Sequence, residues 1–140
     1  MPESGSVDLQ DLAAEAVTIG DVASAAIFVL RGEAATPELE AAAGIQGAAL
    51  DGLAAAVRGP GHPVHRAFTD PGPTFDVPPV NPGGPALRSH IPIGLPGATG
   101  PAAGVLALAH QRPLDETDRG RLLGIAARVA RALARRADDR

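Results

Sequence analysis

"GVLALAHQRPLDETDRGRLLGIAARVARALARR", residues 104–136, changes its period halfway along. From Gly104 to His110 it is an unbroken run of small and aliphatic residues, the pattern of a strand covered on both faces. After Pro113 the apolar residues recur every three or four, and the acids of "PLDETD" gather where a first helical turn would set them against the positive end of its dipole. A central strand feeding a long closing helix is therefore expected. On a wheel of about 100° per residue, Leu122, Ile125, Val129 and Leu133 form a stripe of large residues, and Leu123, Ala127, Ala130 and Ala134 form a smaller one. Arg121, Arg128, Arg131 and Arg135 share the remaining arc. One stripe can lie on a sheet. The other needs either the N-terminal helix or the same helix of a second copy.

Upstream of this stretch, "LRSHIPI" alternates Leu87, Ser89, Ile91 and Ile93 with Arg88, His90 and Pro92, so it reads as a strand with two unlike faces. "GLPGATGP" is a turn returning the chain into "AAGVLALAH". Nearer the N-terminus, Leu9, Leu12, Ala13, Ala16 and Val17 have helical spacing over Val7 to Thr18, with Ser6 as cap and Gly20 as stop. "SAAIFVL" and "RGEAATPELEAA" then read as a hairpin, although "ELEAAAG" is also compatible with helix. Gly47 to Val57 places Leu50, Leu53, Ala54 and Val57 on one helical face, and "RGPG" ends it. "HPVHRAF" reads as a brief strand. "TDPGPTFDVPPVNPGGPA" reads as a long loop, lid or pocket wall, because its prolines cannot donate to a ladder.

Composition narrows the functions. The 140 residues suit one domain, 1–140, with a real core. A net charge of -4 and pI near 5.5 offer nucleic acid no general attraction. With no cysteine, disulfides, thiolate metal sites and cysteine nucleophiles are excluded. No stretch approaches the roughly 18 apolar residues that would cross a bilayer, and no secretory leader is evident, so the expected location is cytoplasmic, away from membrane and nucleic acid.

The residues of "GHPVHRAFTD", "RSHIPIGLPGATGPAAGVLALAH" and "RPLDETDRGRLLGIAARVARAL" resemble a GAF domain, the small-molecule sensing fold of many bacterial signalling proteins. In that family a G-V-L-x-L strand precedes P-L/F-x-x-x-D and an L-, A- and V-rich helix. Gly104, Val105, Leu106 and Leu108, then Pro113, Leu114 and Asp118, stand at those positions. The resemblance covers about 7–136 of the chain and implies an α+β, PAS- and profilin-like architecture: an antiparallel sheet of five or six strands, terminal helices on one face and a covered pocket on the other. It also implies dimerisation through the N- and C-terminal helices. Family members that bind bilin, or that reduce free methionine sulfoxide, do so with cysteines this chain lacks. Cyclic-nucleotide members carry N-K-x-F-x-D-E, and this chain has no lysine.

Elsewhere the chemistry is sparse. His62 and His65, if extended, point apart and make a poor metal pair. Ser89 and the adjacent His90 cannot form a nucleophile and base on one strand, and Asp70 and Asp76 look like turn residues that bond their own loop. No catalytic set, metal or cofactor is expected. Arg88 and His90 share the strand face opposite Ile91 and Ile93, so they are expected beneath the Pro-rich loop, where Arg88 either snorkels or offers donors to an anion. Phe28 and Phe75 would wall that pocket, with His65 beside it. The expected function is a non-catalytic sensor of a small, anionic ligand, signalling to a separate partner protein; the alternative is an interaction module with a vestigial pocket.

Overall fold

The computed structural model describes residues 4–32, 35–70, 72–78, 87–95 and 100–138. In chain order these form α1 (Ser4–Ala16), β1 (Val22–Arg31), β2 (Thr36–Ala43), α2 (Gly47–Val57), α3 (Pro63–Ala67), β3 (Thr74–Val77), β4 (Leu87–Ile93), β5 (Gly104–His110) and α4 (Glu116–Asp138). The strands make one antiparallel sheet in the order β2-β1-β5-β4-β3. β5 is central, as its doubly apolar run requires.

Each face of the sheet carries its own core. On one, Leu9 and Leu12 of α1 and Leu122, Ile125 and Val129 of α4 pack against Ile27, Ile91, Leu106 and Leu108. On the other, Val57 of α2 and Val64 and Phe68 of the α3 segment pack against Phe28 and Val105. The alternation along β5 divides its large and small residues: Leu106 and Leu108 face α1 and α4, while Val105 and Ala107 face α2 and α3. Gly104 sits where α4 and the neighbouring strand both come close. A Cβ there would lie 3.0 Å from the Phe28 carbonyl oxygen and 3.3 Å from Leu133 Cδ1.

The large stripe of α4 is the one on the sheet. α1 does not cover the smaller stripe, because it runs along the arginine edge of α4 instead. Arg128 Nη1 donates to Glu15 Oε2 at 2.8 Å, and Asp11 and Leu12 face Arg128, Arg131 and Ala132 across a shallow groove. Leu123 is left 41% exposed, with Ala127 open beside it.

Three local expectations are corrected. "HPVHRAF" is the helix α3: Pro63 occupies the first turn, where its missing N–H costs nothing, and the His62 ring caps it by accepting from the Val64 N–H at 3.1 Å. The supposed loop contains the edge strand β3, whose own N–H groups need no second neighbour; its residues Pro79 to Ala86 lie outside those described. Ser6 stands within α1, which begins at Ser4. "ELEAAAG" is resolved in favour of strand, since β2 closes the sheet against β1.

Candidate functional site

The registers align rows of side chains across the α2–α3 face. Ser24, Ala109 and Arg88 form one row, Ala26, Ala107 and His90 the next, and Phe28, Val105 and Pro92 the third. In the first two rows β1 and β5 contribute only small residues, so the sheet has a floor without bulk beside Arg88 and His90. Leu53 of α2 and Val64 of α3 roof that floor, leaving a cavity of about 20 Å3 lined also by Ile45. This is room for about one water molecule. Among the described residues no carboxylate lines it.

The described lining carries one fixed cation, Arg88, and no anion. His90 is buried, and its pKa falls to about 4, first because burial disfavours the charged ring and then because His62 and Arg88 repel a proton. His62, at the α3 cap, is also lowered, by burial first and then by Arg88 and His65. His65 is committed elsewhere: its Nδ1 lies 2.9 Å from the Val57 carbonyl oxygen, so it donates and ties α3 to the end of α2.

Of the expected contacts, Arg88 and His90 therefore meet at one cavity. Phe28 lies on the same face, fully buried one row further along, packed on Val57 and Phe68 instead of lining the space. Phe75 is on the opposite face. β3 carries a bulge, pairing Thr74 with His90 and Val77 with Arg88, which sends Phe75 toward α4 with the Arg119 guanidinium 4.7 Å above its ring. In the sequence His62 offers only half of a metal pair; in the fold it caps α3 within electrostatic reach of Arg88 and His90.

A second polar cluster emerges only from the tertiary structure. His110 is fully buried, and its Nδ1–H donates to the Arg112 carbonyl at 2.8 Å, which leaves Nε2 to accept from the Ser89 hydroxyl at 2.8 Å. The same Ser89 oxygen accepts the Asp76 N–H at 3.1 Å. Asp76 in turn accepts from the Leu114 N–H at 2.9 Å and from Arg119 at 2.5 Å. Burial raises its pKa, but these two hydrogen bonds outweigh that and hold it below the ordinary aspartate value. Asp76 thus bonds to residues far along the chain and not to its own loop. A serine beside an imidazole looks like a nucleophile, yet Ser89 is 0% exposed, with its hydrogen donated to His110 and one lone pair taken by the Asp76 N–H. Ser89 joins β3 and β5 to β4, and Asp76 extends the cluster to the start of α4.

A sheet of this order, with terminal helices on one face and a short helical layer over the other, defines the GAF fold. The chain superposes on the GAF domain region of a Geobacter sulfurreducens protein with a TM-score of 0.71 at 17% identity, over 92% of each chain. It is similar to the GAF-B domain of DevS from Mycobacterium smegmatis, with a TM-score of 0.64 at 24% identity over 96% of both. The type II free methionine-R-sulfoxide reductase of Thermoplasma acidophilum has the same fold, with a TM-score of 0.70 at 13% identity, over 95% of this chain and 94% of that one. No protein-family model matches the sequence, and no curated protein matches it. Among the described residues no helix is long and apolar enough to cross a membrane.

Proposed function

We propose that this chain is a non-catalytic GAF-like sensor or regulatory domain of the cytoplasm. It binds a small anion between the sheet and the α2–α3 layer, and signals to a partner protein through a dimer of its terminal helices. One observation carries the ligand reading: Arg88 and His90 stand together over a floor of alanines, with no carboxylate among the described residues that line the space. A guanidinium there offers a fixed fork of donors to a carboxylate or phosphate. The non-catalytic reading draws support from the absence of cysteine, which removes thiol reductase chemistry. The cavity of about 20 Å3 admits no such ligand as it stands, so binding requires α2 and α3 to lift from the sheet. That same volume favours the second reading, an interaction module whose pocket is vestigial.

Native mass spectrometry of the protein purified from its own host, followed by thermal unfolding with the recovered molecule, separates the two. The sensor reading expects a co-purifying anion whose stabilising shift is lost in Arg88→Gln. Protein that carries nothing, and whose melting is indifferent to phosphate and small carboxylates, makes the interaction module the better account.

A further inference from the structure

A larger opening lies at the other end of β1 from Ser24. Its volume is about 330 Å3, within the range of small-molecule clefts. Leu30 of β1, Leu95 after β4, Ala103 before β5 and Leu133 of α4 wall it, and Arg31 and Arg136 bring guanidinium groups to it. Both arginines are held by one carboxylate. Arg31 donates from Nε to Glu40 Oε2 at 2.8 Å and also from Nη2 to that oxygen, while Arg136 Nη2 donates to Glu40 Oε1 at 2.9 Å.

Glu40 does not line the cleft, and its side chain is only 11% exposed, against 38% for Arg31 and 30% for Arg136. The carboxylate is thus behind the arginines, and among the described residues the face presented to the cleft is cationic. Three ionised groups leave one net positive charge. Each guanidinium has five N–H donors in a planar fork, and Glu40 engages two of Arg31's and one of Arg136's. The two forks are fixed in place by Glu40, which lowers the entropy lost when they close on a ligand.

We infer that this cleft is a second binding site, for a carboxylate carrying a short hydrocarbon chain, with the head group on Arg31 and Arg136 and the chain against Leu30, Leu95 and Leu133. An alkylammonium meets like charge there. A small carboxylate without a tail leaves the apolar walls wet. Because Leu133 and Arg136 belong to the last turns of α4, occupancy is felt at the end of the closing helix. The site is independent of the Arg88 cavity, which opens on a different part of the sheet.

Amide-detected NMR titration of the whole chain with sodium octanoate tests this, with sodium acetate and octylammonium chloride as controls. Octanoate is expected to shift the amides of Leu30, Leu133 and Arg136 saturably, at least tenfold more tightly than acetate, with no matching response to octylammonium. Arg31→Gln and Arg136→Gln should each weaken octanoate tenfold or more. Where a glutamine variant loses its dispersed spectrum, Leu133→Asn serves instead and should weaken octanoate without changing the response to acetate. Arg88→Gln should leave the titration unchanged. Absence of saturable shifts at these amides, equal binding of octylammonium, or indifference of folded Arg31→Gln and Arg136→Gln variants overturns the site; loss of the response in Arg88→Gln does so too, by assigning it to the other cavity.

Discussion

Burial of His90 beside His62 and Arg88 keeps its imidazole neutral, with a pKa down to about 4 against 6.5 in the unfolded chain. Below pH 6.5 the unfolded chain therefore takes up a proton that the folded chain refuses, so stability is fully present above that pH and drains away as pH falls toward 4. The difference corresponds to roughly 3 kcal/mol over that window, and His62, lowered in the same direction, adds to it. Urea unfolding at pH 7 and at pH 4.5 should show this loss, and His90→Gln should remove most of the slope. An unchanged slope in that variant would mean that His90 is not the group responsible. The sequence placed Arg88 and His90 on one face correctly, because strand alternation depends on nothing but neighbours along the chain. It did not reveal Ser89 with His110, whose bond spans 21 positions and depends on the β4–β5 register.

Among the elements, the two hairpins and the closing helix follow from local pattern, whereas α3 and β3 do not. A four-residue strand has too few positions to show a period, and a proline after a histidine is equally at home in extended chain and at a helix start. The junction of β2 with α2 is more demanding. Gly44 has φ +78°, and a Cβ there would overlap the carbonyl oxygen of Ala23 on the neighbouring strand. Gly44→Ala should therefore cost about 3 kcal/mol or more, from backbone strain and overlap together. The exposed Gly52→Ala, with nothing near its added methyl, should be neutral or slightly stabilising. Paired denaturation curves measure both. Equal effects would show that β2 shifts away from β1 without penalty.

At the scale of the whole molecule, α4 leaves part of its smaller stripe uncovered: Ala130 packs on the core and Ala134 is half-buried, while Leu123 and Ala127 are exposed. Leu123, Ala127 and Ala134 lie on the side away from α1, and Leu123 is the exposed large hydrophobic residue of the described chain. If this stripe is the dimer seam, Leu123→Glu combined with Ala134→Glu places charge where it must be desolvated. Light scattering should then move from dimer to monomer while circular dichroism and melting are retained. A wild-type chain that is monomeric at high micromolar concentration overturns the dimer.

The closing stretch by itself determined the central strand, the long helix and the division of that helix into two apolar stripes, since each depends on periodicity within a few turns of chain, whereas burial in the fold assigned the large stripe to the sheet. It also carried the cue to the candidate cavity: Ala107 and Ala109 alternate with Leu106 and Leu108, so one face of β5 is shallow and the other deep. What only the tertiary structure decided is which side of α4 receives α1, where Phe75 goes, and how much room remains beside Arg88 and His90. Those outcomes depend on side-chain volumes summed over separate elements and on one bulge in an edge strand, quantities that no single segment of the chain contains.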